Sequence, residues 1–377
     1  MLASENDIGR VVGSQTSPPQ NLSAVALAKV EGEGQGGDGV KVSVIIVNWN
    51  GLRHLPECLE SLEKQSYREF EVIVVDNGST DGSLEYLRES HPWVRLVPLP
   101  ENTGFAGGNN AGLEQAQGEY VVTLNNDTIV LPDFLEEMVA VADAHPDAGM
   151  VAARICNNFE RDTIDSLGIA ICPDAMSRGA GRGRRFSEQK LDRVEEILFP
   201  SACAALYRRK MLDEIGFFDE TFFAYCEDSD LGLRGRFAGW KALLARDAVV
   251  YHKYSMTSGA FSPLKLYLVE RNHYFVALKN FPAGMLLAVP CFTLMRYFTQ
   301  FMLVFGGKGA GGEFLSSGSR RECVLALARG MRDAILATPA CLKQRAALKR
   351  TRRLESAEMG RLLKRYKMTF HELLDNG

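Results

Sequence analysis

From residue 42 onward the chain alternates short, continuous apolar runs with polar stretches rich in Gly, Asn and Asp. The first run, Val42 to Val47, ends in Asn48-Trp49-Asn50-Gly51. Five apolar residues broken only by Ser43 read as a strand buried on both faces that stops at a loop. Helical spacing follows over Leu55 to Gln65. A second buried strand spans Phe70 to Val75 and ends in Asp76-Asn77-Gly78-Ser79-Thr80-Asp81-Gly82. A helix around Leu84 to Ser90 and a short strand at Val94 to Leu99 come next. A Gly/Asn loop from Asn102 to Asn110 leads into a helix to Gln117, and the strand Tyr120 to Leu124 ends in Asn125-Asn126-Asp127.

Strand, loop and helix repeated in this order predict an α/β fold with a mainly parallel central sheet, helices on its faces and right-handed crossovers. Ligands of such sheets sit beyond the carboxyl ends of the strands. Asp76, Asn102 to Asn110 and Asn125 to Asp127 all fall at that edge, so they are expected to converge across 51 positions of sequence (127 − 76).

After Gly149 the pattern loosens, and the basic, glycine-rich stretch Arg178 to Arg185 reads as a mobile loop. Order returns at Phe199 to Tyr207. Phe281 to Gly307 is almost uniformly apolar, with Arg296 its only charge. About 20 apolar residues can span a bilayer. Pro290 and Arg296 fall in the middle of this stretch, however, which favours a membrane-surface or hairpin element over a clean span. Residues 1–40, with Ser, Pro and Gln from Ser14 to Gln20 and a Gly-rich run from Glu31 to Gly39, read as a flexible leader. The expected division is therefore leader 1–40, an α/β domain 41–280, and a C-terminal apolar and basic helical extension 281–377.

Composition narrows the partners. The 377 residues carry a formal net charge of -4, which gives no sign of a nucleic-acid partner. The average hides a basic C-terminus: Arg320 to Lys367 hold 14 Lys or Arg against 4 Asp or Glu, an excess of +10 (14 − 4). Eight cysteines without a C-x-x-C pair argue against a zinc site and a disulfide framework, so a reducing compartment is expected. No charged and then apolar opening marks a secretory signal, and the active site is expected to face the cytoplasm.

Four places carry candidate chemistry. Asp76, at the end of a buried strand, can accept the N3 proton of a uracil or thymine ring; the competing reading is a carboxylate that caps its own loop. Asp127 is a hard oxygen ligand suited to Mg²⁺ or Mn²⁺, with a diphosphate supplying further oxygens, unless it only closes a turn. Glu227-Asp228-Ser229-Asp230 open a helix and complement its dipole. They also follow the apolar Phe222-Phe223-Ala224-Tyr225, where partial burial would suit one of them to act as a general base. His252, after Ala248 to Tyr251, is a structural histidine taken alone and a metal or diphosphate ligand when taken with Asp127.

Six stretches, VSVIIVNWNG, VIVVDNGSTDGS, ENTGFAGGNN, TLNNDT, IGFFDETFFAYCEDSDLGLR and the His of VVYHKYS, resemble in this order the family 2 glycosyltransferases with a GT-A fold. The resemblance covers Val42 to about Asn280 and is strongest to the branch with bacterial rhamnosyl- and galactofuranosyl-transferases. It implies that Asp76 recognises the base of a UDP- or dTDP-sugar, with Asn48 and Asn50 near the nucleoside. Asn102, Gly104, Gly107, Gly108 and Asn109 would border the donor, as would Asn126 and Glu227. Asn125 and Asp127 stand at the family's DxD motif, Asp127 as metal ligand, His252 as the further metal or diphosphate ligand, and Asp228 as catalytic base. Asn125 departs from the motif by replacing its first Asp, which removes one negative charge from the metal site. Arg271-Asn272 resembles a further family pair.

The implied activity is an inverting transfer to a hydroxyl of a glycan or lipid-linked glycan, in cell-surface polysaccharide synthesis. The implied location is the cytoplasmic face of an inner membrane, held there by the apolar segment and the basic tail. The competing reading of that tail is a hydrophobic helix packed on the catalytic lobe with a solvated basic end. An inactive nucleotide-sugar-binding or scaffold protein on the same fold is the alternative function. An aspartyl-phosphate hydrolase wants a second acid where Gly78 stands, and a dinucleotide oxidoreductase wants its glycine fingerprint where Asn48-Trp49-Asn50-Gly51 stands.

Overall fold

Strand β1 (Val42–Asn48) shows why its run is apolar but for Ser43. Val44 and Ile46 pack with Leu55 and Leu59 of helix α1 (Leu55–Glu63) on one face, while Ile45 points into a second core on the other. The computed structural model describes residues 39–253, 262–305 and 320–374. All but the last two positions of the expected leader, and the end of the apolar run at Gly306 and Gly307, lie outside the described residues.

The predicted alternation continues through β2 (Phe70–Asn77), α2 (Ser83–Ser90), β3 (Arg95–Leu99), α3 (Gly104–Gln115), β4 (Tyr120–Leu124), β5 (Thr128–Val130) and α4 (Phe134–Ala144). The expected loop from Asn102 to Asn110 is mostly helix, because α3 begins at Gly104. Its glycines serve packing. A Cβ at Gly108 would lie 2.6 Å from Val47 Cγ1, and one at Gly112 2.5 Å from Ile45 Cγ2, so this spacing of four lets the helix lie close on β1.

Beyond α4, the weak periodicity conceals β6 (Ala148–Asn157), β7 (Ile164–Ser166), β8 (Ile169–Ile171), β9 (Ser177–Gly179), β10 (Val194–Glu196) and β11 (Ala204–Arg208). Helices α5 (Arg209–Ile215) and α6 (Glu227–Phe237) precede the long strand β12 (Lys241–His252). The sheet runs β10-β12-β6-β11-β4-β1-β2-β3, with β5 on β12 and β7 on β6. The strands β4, β1, β2 and β3 are mutually parallel, as read from the sequence, and β11 enters antiparallel between β4 and β6.

The Arg178 to Arg185 stretch, expected as a mobile loop, is pinned. β9 pairs with β8, Arg178 donates to the Glu372 and Leu373 carbonyls, and Arg182 lies 3.1 Å from Asp165.

The chain closes with α7 (Pro263–Asn280), α8 (Ala283–Leu286), α9 (Val289–Phe305), α10 (Arg320–Leu348), α11 (Ser356–Arg365) and α12 (Phe370–Leu374). Phe281, Val289, Ala334, Cys341, Met359 and Leu363 enter the same core as Phe222 and Phe237, so the C-terminal helices pack on the central α/β unit. Among the described residues no helix is long and apolar enough to cross a membrane. Arg296 faces inward: its guanidinium meets Asp174 at 2.6 Å and Glu270 at 3.1 Å.

Candidate active site

The parallel register of β1 and β2 sets Asn48 directly beside Asp76 at the carboxyl edge. The Asn48 amide donates to Asp76 Oδ1 at 3.4 Å and to Ser79 Oγ at 3.2 Å, and Asn126 donates to Asn48 Oδ1 at 2.8 Å. Asp76 Oδ2 accepts from the Ser79 N–H at 3.2 Å, so the loop-capping contact coexists with a carboxylate at the sheet edge. Asn50, in the left-handed region at φ 50°, orders the same loop by accepting from the Thr80 N–H at 2.8 Å.

The other donor-side candidates divide. Asn102 accepts from Asn77 and from the Gly104 N–H, which fixes the entrance to α3. Gly107 and Gly108 stand where a Cβ would meet Thr103 and Val47, so both serve backbone packing. Gly104 adopts φ +78° and lies against Phe223. Asn109 is buried, donates to the Phe105 carbonyl, and has no partner for its Oδ1 among the described residues.

At the end of β4 the chain turns into β5, and the pairing of β5 with β12 brings Asp127 to His252. Asp127 Oδ1 lies 3.3 Å from His252 Nε2, while His252 Nδ1 lies 2.7 Å from Asp165. Burial opposes ionisation of Asp127, yet its hydrogen bond to His252 and the nearby positive charge hold its pKa below the ordinary carboxylate value. Burial likewise disfavours a charged His252, but the Cys203 sulfur and the two carboxylates outweigh it and raise its pKa well above the usual imidazole range. Among the described residues no three His, Cys, Asp or Glu side chains form a complete metal cage. Asp127 nevertheless offers one hard oxygen and His252, once a cation displaces its Nε2 proton, one imidazole nitrogen, and a carboxylate on the far ring nitrogen is how metal-ligating histidines are ordinarily oriented. Sequence reading missed Asp165. Nothing in its local pattern separates it from a surface acid; only the pairing of β6 with β7 and with β12 brings it there.

The acidic run at the start of α6 separates into two roles. Asp230 is fully buried against Arg234 at 2.8 Å and Lys279 at 2.9 Å, and despite burial these cations hold its pKa down to about 2. Among the described residues no cation pairs with Glu227 or Asp228. Burial, together with the Asp228 charge, pushes the Glu227 pKa well above its usual value, and its Oε2 is buried with no hydrogen-bond partner among the described residues. Burial also raises the Asp228 pKa, against hydrogen bonds from the Ala202 N–H at 3.4 Å and from Ser229 at 3.2 Å.

The turn before these acids is strained. Phe223, Tyr225 and Cys226 all have positive φ, at 63°, 69° and 66°, a conformation that costs a non-glycine residue about 1–2 kcal/mol. Phe223 is the centre of a γ-turn closed by the Ala224 N–H on the Phe222 carbonyl at 2.8 Å. Arg271 and Asn272 on α7 hold it. Arg271 donates to the Thr221 and Phe222 carbonyls, and Asn272 donates to those of Phe222, Ala224 and Tyr225.

One short segment joins the two halves of the site. The Ala202 N–H donates to Asp228, the Cys203 carbonyl accepts from the Asn125 N–H at 2.9 Å, and Cys203 also contacts His252. The base candidate and the cation candidate therefore both border the Ala202-Cys203 segment, although Asp127 and Asp228 are 101 residues apart (228 − 127).

Residues 43–216 match the family model described as glycosyl transferase family 2. That match stops short of Asp228 and His252. Among curated proteins, the N-acetylglucosaminyl-diphospho-decaprenol L-rhamnosyltransferase of Mycobacterium tuberculosis is 28% identical over 245 residues, covering 57% of this chain and 77% of that one. The putative glycosyltransferase EpsE of Bacillus subtilis is 35% identical over 180 residues, covering 42% and 65%. An uncharacterised protein of Sinorhizobium fredii, y4gI, is 31% identical over 234 residues, but the match spans only 25% of that protein's length. Among solved structures, S. aureus TarS 1-349 superposes with a TM-score of 0.50 at 21% identity, covering 86% of this chain and 89% of that one. GalNAc-T7, solved with UDP, GalNAc and Mn²⁺, gives a TM-score of 0.54 at 16% identity over 66% and 49%. At these identities the structural likeness establishes the fold.

Proposed function

The chain carries a glycosyl transferase family 2 domain in a GT-A fold, and from that premise we propose that it moves a hexosyl or deoxyhexosyl group, with inversion, from a UDP- or dTDP-sugar to a hydroxyl of a glycan or lipid-linked glycan. The observation that supports this reading most is that Asp228 and the Asp127–His252 pair both border the Ala202-Cys203 segment. A buried acid with raised proton affinity thus shares a backbone neighbour with the pair best suited to hold a diphosphate-bound cation.

In this reading Asp76 and Asn48 bind the edge of the base, and Asn126 keeps Asn48 in place. Asp127 and His252 would hold Mg²⁺ or Mn²⁺, with Asp165 fixing the imidazole. When bound, the cation supplies positive charge where the leaving diphosphate becomes more negative. Asn125 in place of an acid leaves this site one charge poorer. Asp228 takes the proton of the acceptor hydroxyl as its oxygen bonds to the anomeric carbon and the bond to the diphosphate breaks. The hydrophobic surroundings that raise the Asp228 pKa also make it a stronger base in that step.

The Mycobacterium relative is named for a lipid-linked diphosphate-sugar acceptor. That name, with the basic C-terminal segment, supports an acceptor presented at the cytoplasmic face of a membrane during polysaccharide synthesis. A panel of UDP-, dTDP- and GDP-sugars, scored by thermal stabilisation with and without Mn²⁺, tests the donor reading. Cation-dependent stabilisation by a uridine or thymidine sugar is expected, and no response to any donor would overturn it.

A further inference from the structure

Helix α9 and the turn before it carry an inverted polarity. Leu287, Cys291, Leu294, Met295, Phe298 and Met302 follow one another at helical spacing and form a single stripe. Leu287 is 83% exposed, Leu294 69% and Phe298 66%. On the opposite face Thr293 and Arg296 are 2% and 4% exposed, and Arg296 is neutralised by Asp174 and Glu270. The helix thus sends its charge into the protein and its apolar side chains to the surface, the reverse of what water favours. A contiguous exposed patch of this kind marks a surface that something covers.

We propose that this face lies in the interface of an anionic lipid bilayer, with the helix axis parallel to the membrane plane. Two observations choose lipid as the occupant. No side chain of the stripe carries a charge or any hydrogen-bonding group beyond the weak thiol of Cys291, so the surface offers area without directional contacts. The charge next in sequence is complementary to anionic headgroups: Arg320 to Lys367 carry an excess of +10 in a chain of net -4, so the remainder totals -14 (−4 − 10). On α10 the exposed Arg321, Arg329, Arg332 and Lys343 stand among exposed apolar residues such as Val324, Ile335 and Leu336. Cations interleaved with apolar side chains match the layered chemistry of headgroup and acyl chain. The docking use, bringing a lipid-linked acceptor to Asp228, rests on the transferase reading above; the docking itself does not.

Co-flotation of the full chain with vesicles of 70:30 phosphatidylcholine:phosphatidylglycerol, against pure phosphatidylcholine, tests the proposal. Flotation with the anionic vesicles is expected. Leu294→Glu/Phe298→Glu should weaken it at least about tenfold, since withdrawing even one such side chain from an apolar phase is worth about that factor. Both positions are exposed, so the melting temperature should stay unchanged. Arg321→Glu/Arg332→Glu should abolish the preference for anionic over neutral vesicles. A wild-type chain that stays with the buffer, or a Leu294→Glu/Phe298→Glu variant that floats as well as wild type, overturns the proposal. So does a wild-type dimer in sedimentation velocity that fails to float and that the same variant dissociates, because the occupant is then a second copy. Donor-induced thermal stabilisation on the same preparations reports separately on the transferase reading.

Discussion

The Asn272 side-chain amide donates to the Tyr225 carbonyl at 2.7 Å, and this contact fixes the strained turn from which Glu227 and Asp228 emerge. The same amide also serves the Phe222 and Ala224 carbonyls. Asn272→Ala removes the donors to three carbonyls and should cost about 1–3 kcal/mol of stability. Because the turn presents Asp228 rather than the donor pocket, kcat should fall with little change in the donor KM. Asn272→Asp, which replaces a donor with an acceptor, should do worse than Ala on both counts. Thermal melts beside steady-state kinetics measure this, and an Asn272→Ala enzyme with full kcat would remove the positioning role.

Asp228→Asn keeps the shape of the side chain and deletes its proton-accepting oxygen. Transfer should drop by about 10²–10⁴-fold, the usual contribution of a positioned general base, while calorimetric UDP affinity stays near wild type. Wild-type transfer should also decline as pH falls through the raised pKa of Asp228, since the base must be ionised to act. A donor-binding protein that is not a transferase would show neither loss.

Glu227 makes a prediction of opposite sign for stability. Its folded-state pKa is raised by burial and by the neighbouring Asp228, so the fold favours the neutral acid. That contribution is fully present below the unfolded value near 4.5 and is lost as pH rises through the folded pKa. Glu227→Gln should therefore melt above wild type at pH 7–8, with the gap closing below about pH 4. A variant less stable than wild type at neutral pH would show that Glu227 is held there as a paired anion.

The parallel strands and their polar ends were legible because each buried strand is a short apolar run that stops at Asn or Asp. Strand register then does the rest: Asn48 meets Asp76 because β1 and β2 are neighbours. The Gly104 to Asn109 stretch misled because glycines read as loop, whereas the spacing of Gly108 and Gly112 is that of a helix packed tightly on a sheet. Asp165, Ala202 and the grip of Asn272 on the 222–225 turn were invisible for a different reason. Each is made by contacts between residues 26 to 87 positions apart, with no local pattern to announce them. The division of Asp228 from Asp230 needed the positions of Lys279 and Arg234, which only the fold supplies.

Asp165 sits on the ring nitrogen of His252 that faces away from Asp127. Removing such an orienting carboxylate typically weakens metal affinity about 10–100-fold. Asp165→Asn should raise the Mn²⁺ concentration needed for half-maximal donor stabilisation by that range, with saturating Mn²⁺ restoring most of the effect. Chelation of the wild type should abolish transfer and its return should restore it. Turnover that persists in excess chelator would strip Asp127 and His252 of their assigned role.

Arg296 is the only charge in the apolar stretch, and its placement separates what holds α9 to the protein from what it offers outward. Burial would lift the pKa of Glu270, but His273, Arg296 and the Tyr297 hydroxyl hold it down to about 2. A carboxylate held low contributes stability above its unfolded value near 4.5, and that contribution fades as pH falls toward 2. Arg296→Met leaves Asp174 and Glu270 buried without their cation and should cost about 3–5 kcal/mol, as breaking one side of a buried pair does. The loss should be greatest at neutral pH and shrink in acid, where Glu270 takes up a proton. A melting curve for Arg296→Met that matches wild type at pH 7 would mean that α9 is not anchored through this cluster.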